Sequence, residues 1–196
     1  MNKLLLTLLA FLLPSLAFGQ EAAPADSSVW DAAPELSVRL ISPVTAIGPE
    51  VDSLNIGLDI APQPGWKTYW RSPGAAGLPA RIDWTDSQNL GKAEIRWPAP
   101  HRFNFSGLET FGYNTPHLLP IHVTLTEKGA PLRLQAKVET MACDHICVPF
   151  TFNLSLFLPA APPVETTFAP LIRTALARVP GDGRAHGLAL RSVQLA

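Results

Sequence analysis

Two stretches of sequence, LRLQAKV at residues 132–138 and FNLSLFL at residues 152–158, place an apolar side chain at every second position. This period of two is typical of a β-strand that buries one face, because successive side chains of a strand point to opposite sides of the sheet. Residues 36–40, 54–60 and 119–125 show the same alternation. The sequence therefore predicts a protein built mainly from strands.

The spacing of the strands predicts their arrangement. The 20 prolines and 13 glycines are scattered between short apolar runs, and no helical periodicity occurs before about residue 165. Many short strands separated by such turn residues favour an all-β fold, an immunoglobulin-like antiparallel β-sandwich, over residues 35–160. We expect four tryptophans to fill the space between the sheets or its ends: Trp66, Trp70, Trp84 and Trp97.

The first residues predict export. Lys3 precedes an apolar run over residues 4–16, and Ala17-Phe18-Gly19 has the small-x-small pattern of a cleavage site. A proline inside the run makes it too short for a membrane anchor. We therefore expect a signal peptide at residues 1–19 and a flexible leader at residues 20–34. The mature protein is then periplasmic, in an oxidising compartment where paired thiols can form disulfides.

The composition excludes two classes of protein. With 47% hydrophobic and 16% charged residues, the chain is not disordered. A net charge of -1 lacks the basic excess that nucleic-acid binding requires, so we expect no nucleic-acid partner.

The pattern changes after the predicted sandwich. We expect a linker with an amphipathic helix at residues 161–186, followed at residues 187–196 by the start of a second, truncated β domain. The helical spacing is carried by Phe168, Ile172, Leu176 and Val179.

The two cysteines, Cys143 and Cys147, are the main chemical signal. A fully extended chain would hold their Cα atoms about 13 Å apart, whereas a disulfide requires roughly 4.4 to 6.8 Å. A helical or turn-like loop between a strand ending near Val138 and a strand beginning near Phe152 would bring them to about 6 Å. The pair can therefore form a disulfide only if the chain curls between them.

Three roles for this pair remain open from spacing alone. A structural disulfide closing only five residues would contribute roughly 2 kcal/mol. A redox pair would cycle between dithiol and disulfide, with one thiolate attacking a partner and the other resolving the intermediate. A copper-binding or zinc-binding site would use Cys143, Cys147, His145 and Met141 as soft ligands.

Several segments together resemble the amino-terminal periplasmic domain of the DsbD-type protein-disulfide reductases, and most of all the ScsB branch, which is associated with suppression of copper sensitivity. The resemblance runs in order from about residue 36 to residue 158. It is carried by GWKTYWRSPG at residues 65–74, GLP at 77–79, IDW at 82–84, WPAP at 97–100 and Cys143-x-x-x-Cys147-Val-Pro149.

This resemblance implies an immunoglobulin-like domain that receives electrons from a membrane-embedded segment through a thioredoxin-like domain, in the same or a companion chain. It passes them to periplasmic thioredoxin-fold oxidoreductases. The full-length protein would be tethered to the inner membrane and linked to copper tolerance or cytochrome c maturation. No cofactor is implied beyond a redox-active Cys143–Cys147 disulfide.

The resemblance also assigns roles to residues. Cys147 matches the cysteine that attacks the partner, and Cys143 matches the resolving cysteine. Phe103 and Phe105 lie where relatives carry the aromatic residue of a cap loop. Tyr113 and His145 are further candidates for lining the site.

Overall fold

The structure, a computed structural model, describes residues 26–105, 107–184 and 187. The predicted signal peptide and all but the first residue of the predicted second β domain lie outside this range. No helix within it is long and apolar enough to cross a membrane. The elements are β1 (Asp31–Ala32), β2 (Leu36–Ile41), β3 (Ser53–Pro62), β4 (Thr68–Gly74), β5 (Arg81–Asp83), β6 (Leu90–Ile95), β7 (His101–Phe105), β8 (Leu108–Tyr113), β9 (His117–Leu125), β10 (Leu132–Cys143), β11 (Cys147–Leu158) and α1 (Ala169–Ala177).

Within the described residues, the strands form three antiparallel sheets. The five-stranded sheet has the order β1-β2-β3-β9-β6, and the three-stranded sheets have the orders β11-β10-β5 and β4-β8-β7. All strand pairs are antiparallel. The predicted all-β, immunoglobulin-like antiparallel sandwich is confirmed.

One hydrophobic core joins the five-stranded sheet to the β10–β11 hairpin. The alternating residues predicted to be buried supply most of it, and all four tryptophans pack partly buried against it. Their burial removes apolar surface from water, which is the main favourable contribution to folding. The strand residues of this core are Leu36, Val38, Leu40, Ile56, Leu58, Ile60, Tyr113, Leu119, Ile121, Val123, Leu132, Leu134, Ala136, Val138, Ala142, Phe152, Leu154, Leu156 and Leu158.

The outer edge of β11 is interrupted in two ways. β11 is the end strand of its sheet, so no strand of the described residues pairs with that edge. Pro149 lacks an N–H, which suits an edge position. Further along, the N–H of Asn153 donates to Oδ2 of Asp31 at 2.9 Å.

The segments flanking the sandwich contact it. Residues 26–34, the second half of the predicted leader, lie along β2, where the N–H of Leu40 donates to Oγ of Ser28 at 2.9 Å. The predicted helix is present as α1, and its buried residues include Ile172. The helix packs against β3 and β9.

Candidate redox site

The two cysteines lie at the tip of the β10–β11 hairpin. Cys143 ends β10 and Cys147 begins β11, so residues 144–146 alone form the turn. The cysteines are directly opposite each other and form a disulfide, with their Cα atoms 4.1 Å apart. The strand ends predicted near Val138 and Phe152 were wrong, because the ladder continues to the cysteines and replaces the longer curled loop.

Backbone hydrogen bonds explain the short distance. The N–H of Cys143 donates to the C=O of Lys67, and the N–H of Lys67 donates to the C=O of Cys143, both at 3.0 Å. Both backbone groups of Cys143 therefore point away from β11. Cys143 and Cys147 are then a non-hydrogen-bonded pair, the type in which opposite Cα atoms approach most closely.

The two cysteines differ in exposure. Cys143 is fully buried, with 0% of its surface accessible, whereas Cys147 is exposed. Cys147 is therefore the cysteine that another molecule can approach from solvent, whereas Cys143 is enclosed by the protein.

Three ionisable side chains lie beside the disulfide. Asp144 and His145 belong to the turn, with His145 Nε2 3.7 Å from Asp144 Oδ2 and the His145 side chain 96% exposed. Lys67 lies on the other side of Cys143, where it is half-buried. Burial lowers the pKa of Lys67, and the nearby Asp144 carboxylate partly offsets that effect.

A tight turn places Lys67 next to Cys143. The N–H of Trp66 donates to the C=O of Gln63 at 3.0 Å, and Gly65 has φ of 91°. This positive φ suits glycine, which has no Cβ, and proline at the preceding position is common in such turns. A Cβ at Gly65 would lie 3.6 Å from Cγ of Asp144, so this turn touches the tip of the cysteine hairpin.

Comparison with known proteins assigns the family. The family model for the N-terminal region of the thiol:disulfide interchange protein DsbD matches residues 37–159. The chain belongs to this family. The resemblance to DsbD and ScsB seen in the sequence is thereby confirmed, and the chain contains a thiol:disulfide interchange domain of the DsbD N-terminal type.

Two solved structures are similar to this DsbD N-terminal family member. The N-terminal periplasmic domain of ScsB from Proteus mirabilis is 28% identical with a TM-score of 0.63, over 79% of this chain and 60% of that chain. The N-terminal domain of Neisseria meningitidis DsbD in the reduced form is 11% identical with a TM-score of 0.33, over 61% of this chain and 86% of that chain. The chain thus spans about 60% of the length of the ScsB structure. No curated protein matches the chain at a significant level.

The other predicted site residues of this DsbD-type domain lie at different depths. Met141, two residues before Cys143, is half-buried opposite Pro149. Phe103 lies in β7 with its ring edge-on to His101, at 6.4 Å between centroids. Phe105 ends β7, and its side chain lies outside the described part of the structure. The cap roles of Phe103 and Phe105 stay predictions.

Tyr113 is buried near this site, and its backbone pairs with Thr68, the residue that follows Lys67. Its hydroxyl donates to the C=O of Pro98 at 2.8 Å, and its ring stacks on His117 at 4.2 Å between centroids. Burial raises the pKa of Tyr113, and nearby Arg71 partly offsets this. Its role in lining the cysteine site stays a prediction.

His117, which the sequence did not indicate as a site residue, carries a strongly shifted pKa. Nδ1 of His117 lies 2.9 Å from the C=O of Thr115, and Nε2 lies 3.2 Å from the hydroxyl of Thr68. A carbonyl only accepts, so Nδ1 carries the proton and Nε2 accepts from Thr68. Burial lowers the pKa of His117 to about 4, since it disfavours the charged ring, although the bond to Thr115 acts in the opposite direction. A single histidine in a strand gives no sequence signal for such an environment.

The metal alternative gains no support from the arrangement. Among residues 26–105, 107–184 and 187, no group of three or more His, Cys, Asp or Glu side chains is placed to hold a metal ion. Of the four proposed ligands, Cys143 and Cys147 are joined to each other in the disulfide.

Proposed function

We propose that this domain is a periplasmic protein-disulfide reductase component that passes electrons through Cys143 and Cys147 to thioredoxin-fold partners. The single observation that carries the proposal is the unequal exposure of the two residues of one disulfide, with Cys147 exposed and Cys143 buried. Exchange requires one accessible sulfur and a second sulfur close enough to resolve the intermediate. A disulfide that only stabilised the fold would need neither property.

The chemistry begins with the reduced pair. The Cys147 thiolate attacks one sulfur of the partner's disulfide, a bond forms between Cys147 and that sulfur, and the partner's other sulfur leaves as a thiolate. The Cys143 thiolate then attacks Sγ of Cys147. The Cys143–Cys147 disulfide forms, and the partner's second sulfur leaves as a thiolate. Two electrons have moved to the partner, whose two thiolates take up protons.

The oxidised domain is reduced again by the reverse series of steps. A thiolate of a reduced, thioredoxin-like donor attacks Sγ of Cys147, and Cys143 leaves as a thiolate. The donor's second thiolate then attacks its own sulfur in the mixed disulfide, which releases the Cys147 thiolate and oxidises the donor. The same exposed sulfur therefore serves donor and acceptor in turn.

The location of this reaction is part of the proposal. The signal peptide predicted at residues 1–19 and the periplasmic origin of the similar ScsB domain both support a periplasmic site. We further propose that the electrons come from a membrane-embedded segment of the same or a companion protein.

Single-cysteine variants test the roles of the two sulfurs. The probe is a thioredoxin that lacks its resolving cysteine and carries thionitrobenzoate on its attacking cysteine, so that exchange releases a coloured product. We expect Cys143→Ala to form the mixed disulfide rapidly and Cys147→Ala to react at least tenfold more slowly, because the remaining sulfur is buried. With a normal oxidised thioredoxin-fold acceptor, Cys147→Ala should abolish electron transfer. Unchanged transfer by this variant would refute the proposed function.

The reduction potential separates the remaining alternatives. Equilibration in glutathione buffers with trapping of free thiols should give a value of roughly −180 to −270 mV, the range of exchange-active proteins. A value well below about −300 mV would indicate a structural disulfide. Copper or zinc bound in stoichiometric amount, with thiols protected from trapping, would favour the metal-binding alternative.

A further inference from the structure

Lys67 lies in an unusual position relative to the buried sulfur. The two hydrogen bonds between Lys67 and Cys143 make them a hydrogen-bonded antiparallel pair. Residues directly opposite in such a pair place their side chains on the same face, with Cβ atoms roughly 5 Å apart. The Lys67 side chain therefore starts beside the Cys143 side chain, on the side opposite to Cys147.

Given the proposed function, we propose that Lys67 is a positioning residue that stabilises negative charge on the sulfur of Cys143 when the disulfide opens. When an incoming thiolate attacks Sγ of Cys147, the S–S bond breaks and its electron pair goes to Sγ of Cys143. That sulfur is cut off from water, so it depends on the protein for stabilisation. Lys67, which pairs with Cys143 just before β4, supplies a positive charge at the place where the negative charge develops.

The other charges near the tip make this cation necessary. Asp144 directly follows Cys143, and its carboxylate opposes a second negative charge on the adjacent sulfur. Lys67 interacts electrostatically with Asp144, so it offsets that repulsion as well. His145 lies at ion-pair distance from Asp144, but its side chain is almost fully exposed to solvent. Lys67 is the half-buried cation of the group.

The sequence fixes Lys67 in this place through the backbone. The Pro64-Gly65 turn and the paired hydrogen bonds to Cys143 hold its Cα whatever its side chain is. Replacing the side chain should therefore change the charge beside the sulfur while keeping the hairpin intact. This separation of side chain from backbone makes the proposal testable by substitution.

The test compares four variants of the purified oxidised protein. Dithiothreitol serves as the small reductant, and the remaining disulfide is followed by thiol trapping. We expect Lys67→Met to slow reduction about tenfold and to shift the glutathione equilibrium toward the disulfide, since a nearby unit charge is partly screened at a half-exposed site. Lys67→Arg should restore most of the rate. Asp144→Asn should accelerate reduction.

Lys137→Met is the matched control, because Lys137 lies on β10, the strand of Cys143, but is exposed and forms an ion pair with Glu139. It should change the rate by less than about twofold. Equal rates for Lys67→Met and Lys137→Met would overturn the proposal, as would Lys67→Arg reacting as slowly as Lys67→Met. Neither result affects the proposed function, which is tested separately by the single-cysteine variants and the reduction potential.

Discussion

Reduction of the Cys143–Cys147 disulfide should leave the domain folded, with a small and calculable loss of stability. The bond joins residues with a sequence separation of 4 and closes a loop of five residues. In the chain-entropy model, so short a loop restricts the unfolded chain little, and the bond contributes about 2 kcal/mol to the free energy of unfolding. The β10–β11 ladder continues from the cysteines to Leu132 and Leu158 without the bond. A domain that cycles between dithiol and disulfide requires this independence.

Urea denaturation of the oxidised protein, the reduced protein and the Cys143→Ala/Cys147→Ala double variant measures the loss. With a slope of about 2 kcal/mol per M urea, the midpoint should fall by about 1 M, and the slope itself should not change. The double variant controls for incomplete reduction and should agree with the reduced protein. A reduced domain that is unfolded without urea, or a midpoint loss of more than about 2 M, would show that the disulfide holds the fold together.

Three further outcomes follow from the packing and from the lowered pKa of His117. The unfolded chain protonates His117 near its ordinary pKa of 6.5, whereas the folded chain protonates it only near a pKa of about 4. The free energy of unfolding therefore decreases as pH falls between these values, by about 3 kcal/mol in all. From pH 7 to pH 4 the urea midpoint should fall less steeply for His117→Gln than for the unchanged protein, and parallel profiles would contradict this prediction. Gly77→Ala should lower the free energy of unfolding by about 2 kcal/mol and lower the thermal midpoint, because Gly77 has φ of 98° and a Cβ there would collide with the Tyr69 ring. Gly181→Ala is the control and should leave the thermal midpoint unchanged, because a Cβ there has no atom within 4 Å. Leu156→Ala should cost about 3 kcal/mol in urea unfolding, since the side chain is fully buried in the core, and a loss below about 1 kcal/mol would be inconsistent with that packing.

The long strands could be predicted because each carries its own signal. Every alternating run lies within β2, β3, β9, β10 or β11 in the structure. Strands such as β4 and β7 show no alternation, and β4 contains Arg71 and Pro73. Their extended conformation depends on pairing with β8, which local sequence does not report.

The cysteine site could also be predicted from the sequence only in part. β10 was predicted to end too early because the inward positions beyond Val138 are Thr140 and Ala142, which are small or polar and break the apolar pattern. β11 was predicted to begin too late, near Phe152 instead of at Cys147. The direction in which the backbone groups of Cys143 point is set by hydrogen bonds to Lys67, which is distant in the sequence. The two cysteines could be identified from the sequence, but the difference in their exposure could not.

The interrupted edge of β11 affects whether copies of the protein aggregate. A long unpaired strand presents a row of backbone donors and acceptors with which another chain can pair, so that the sheet is extended. Proline at position 149 removes one donor from that row, and Asp31 occupies another at Asn153. The stretch of edge left open beside Cys147 is short. This edge therefore offers a second copy of the protein too little unpaired backbone beside Cys147 to start an aggregate.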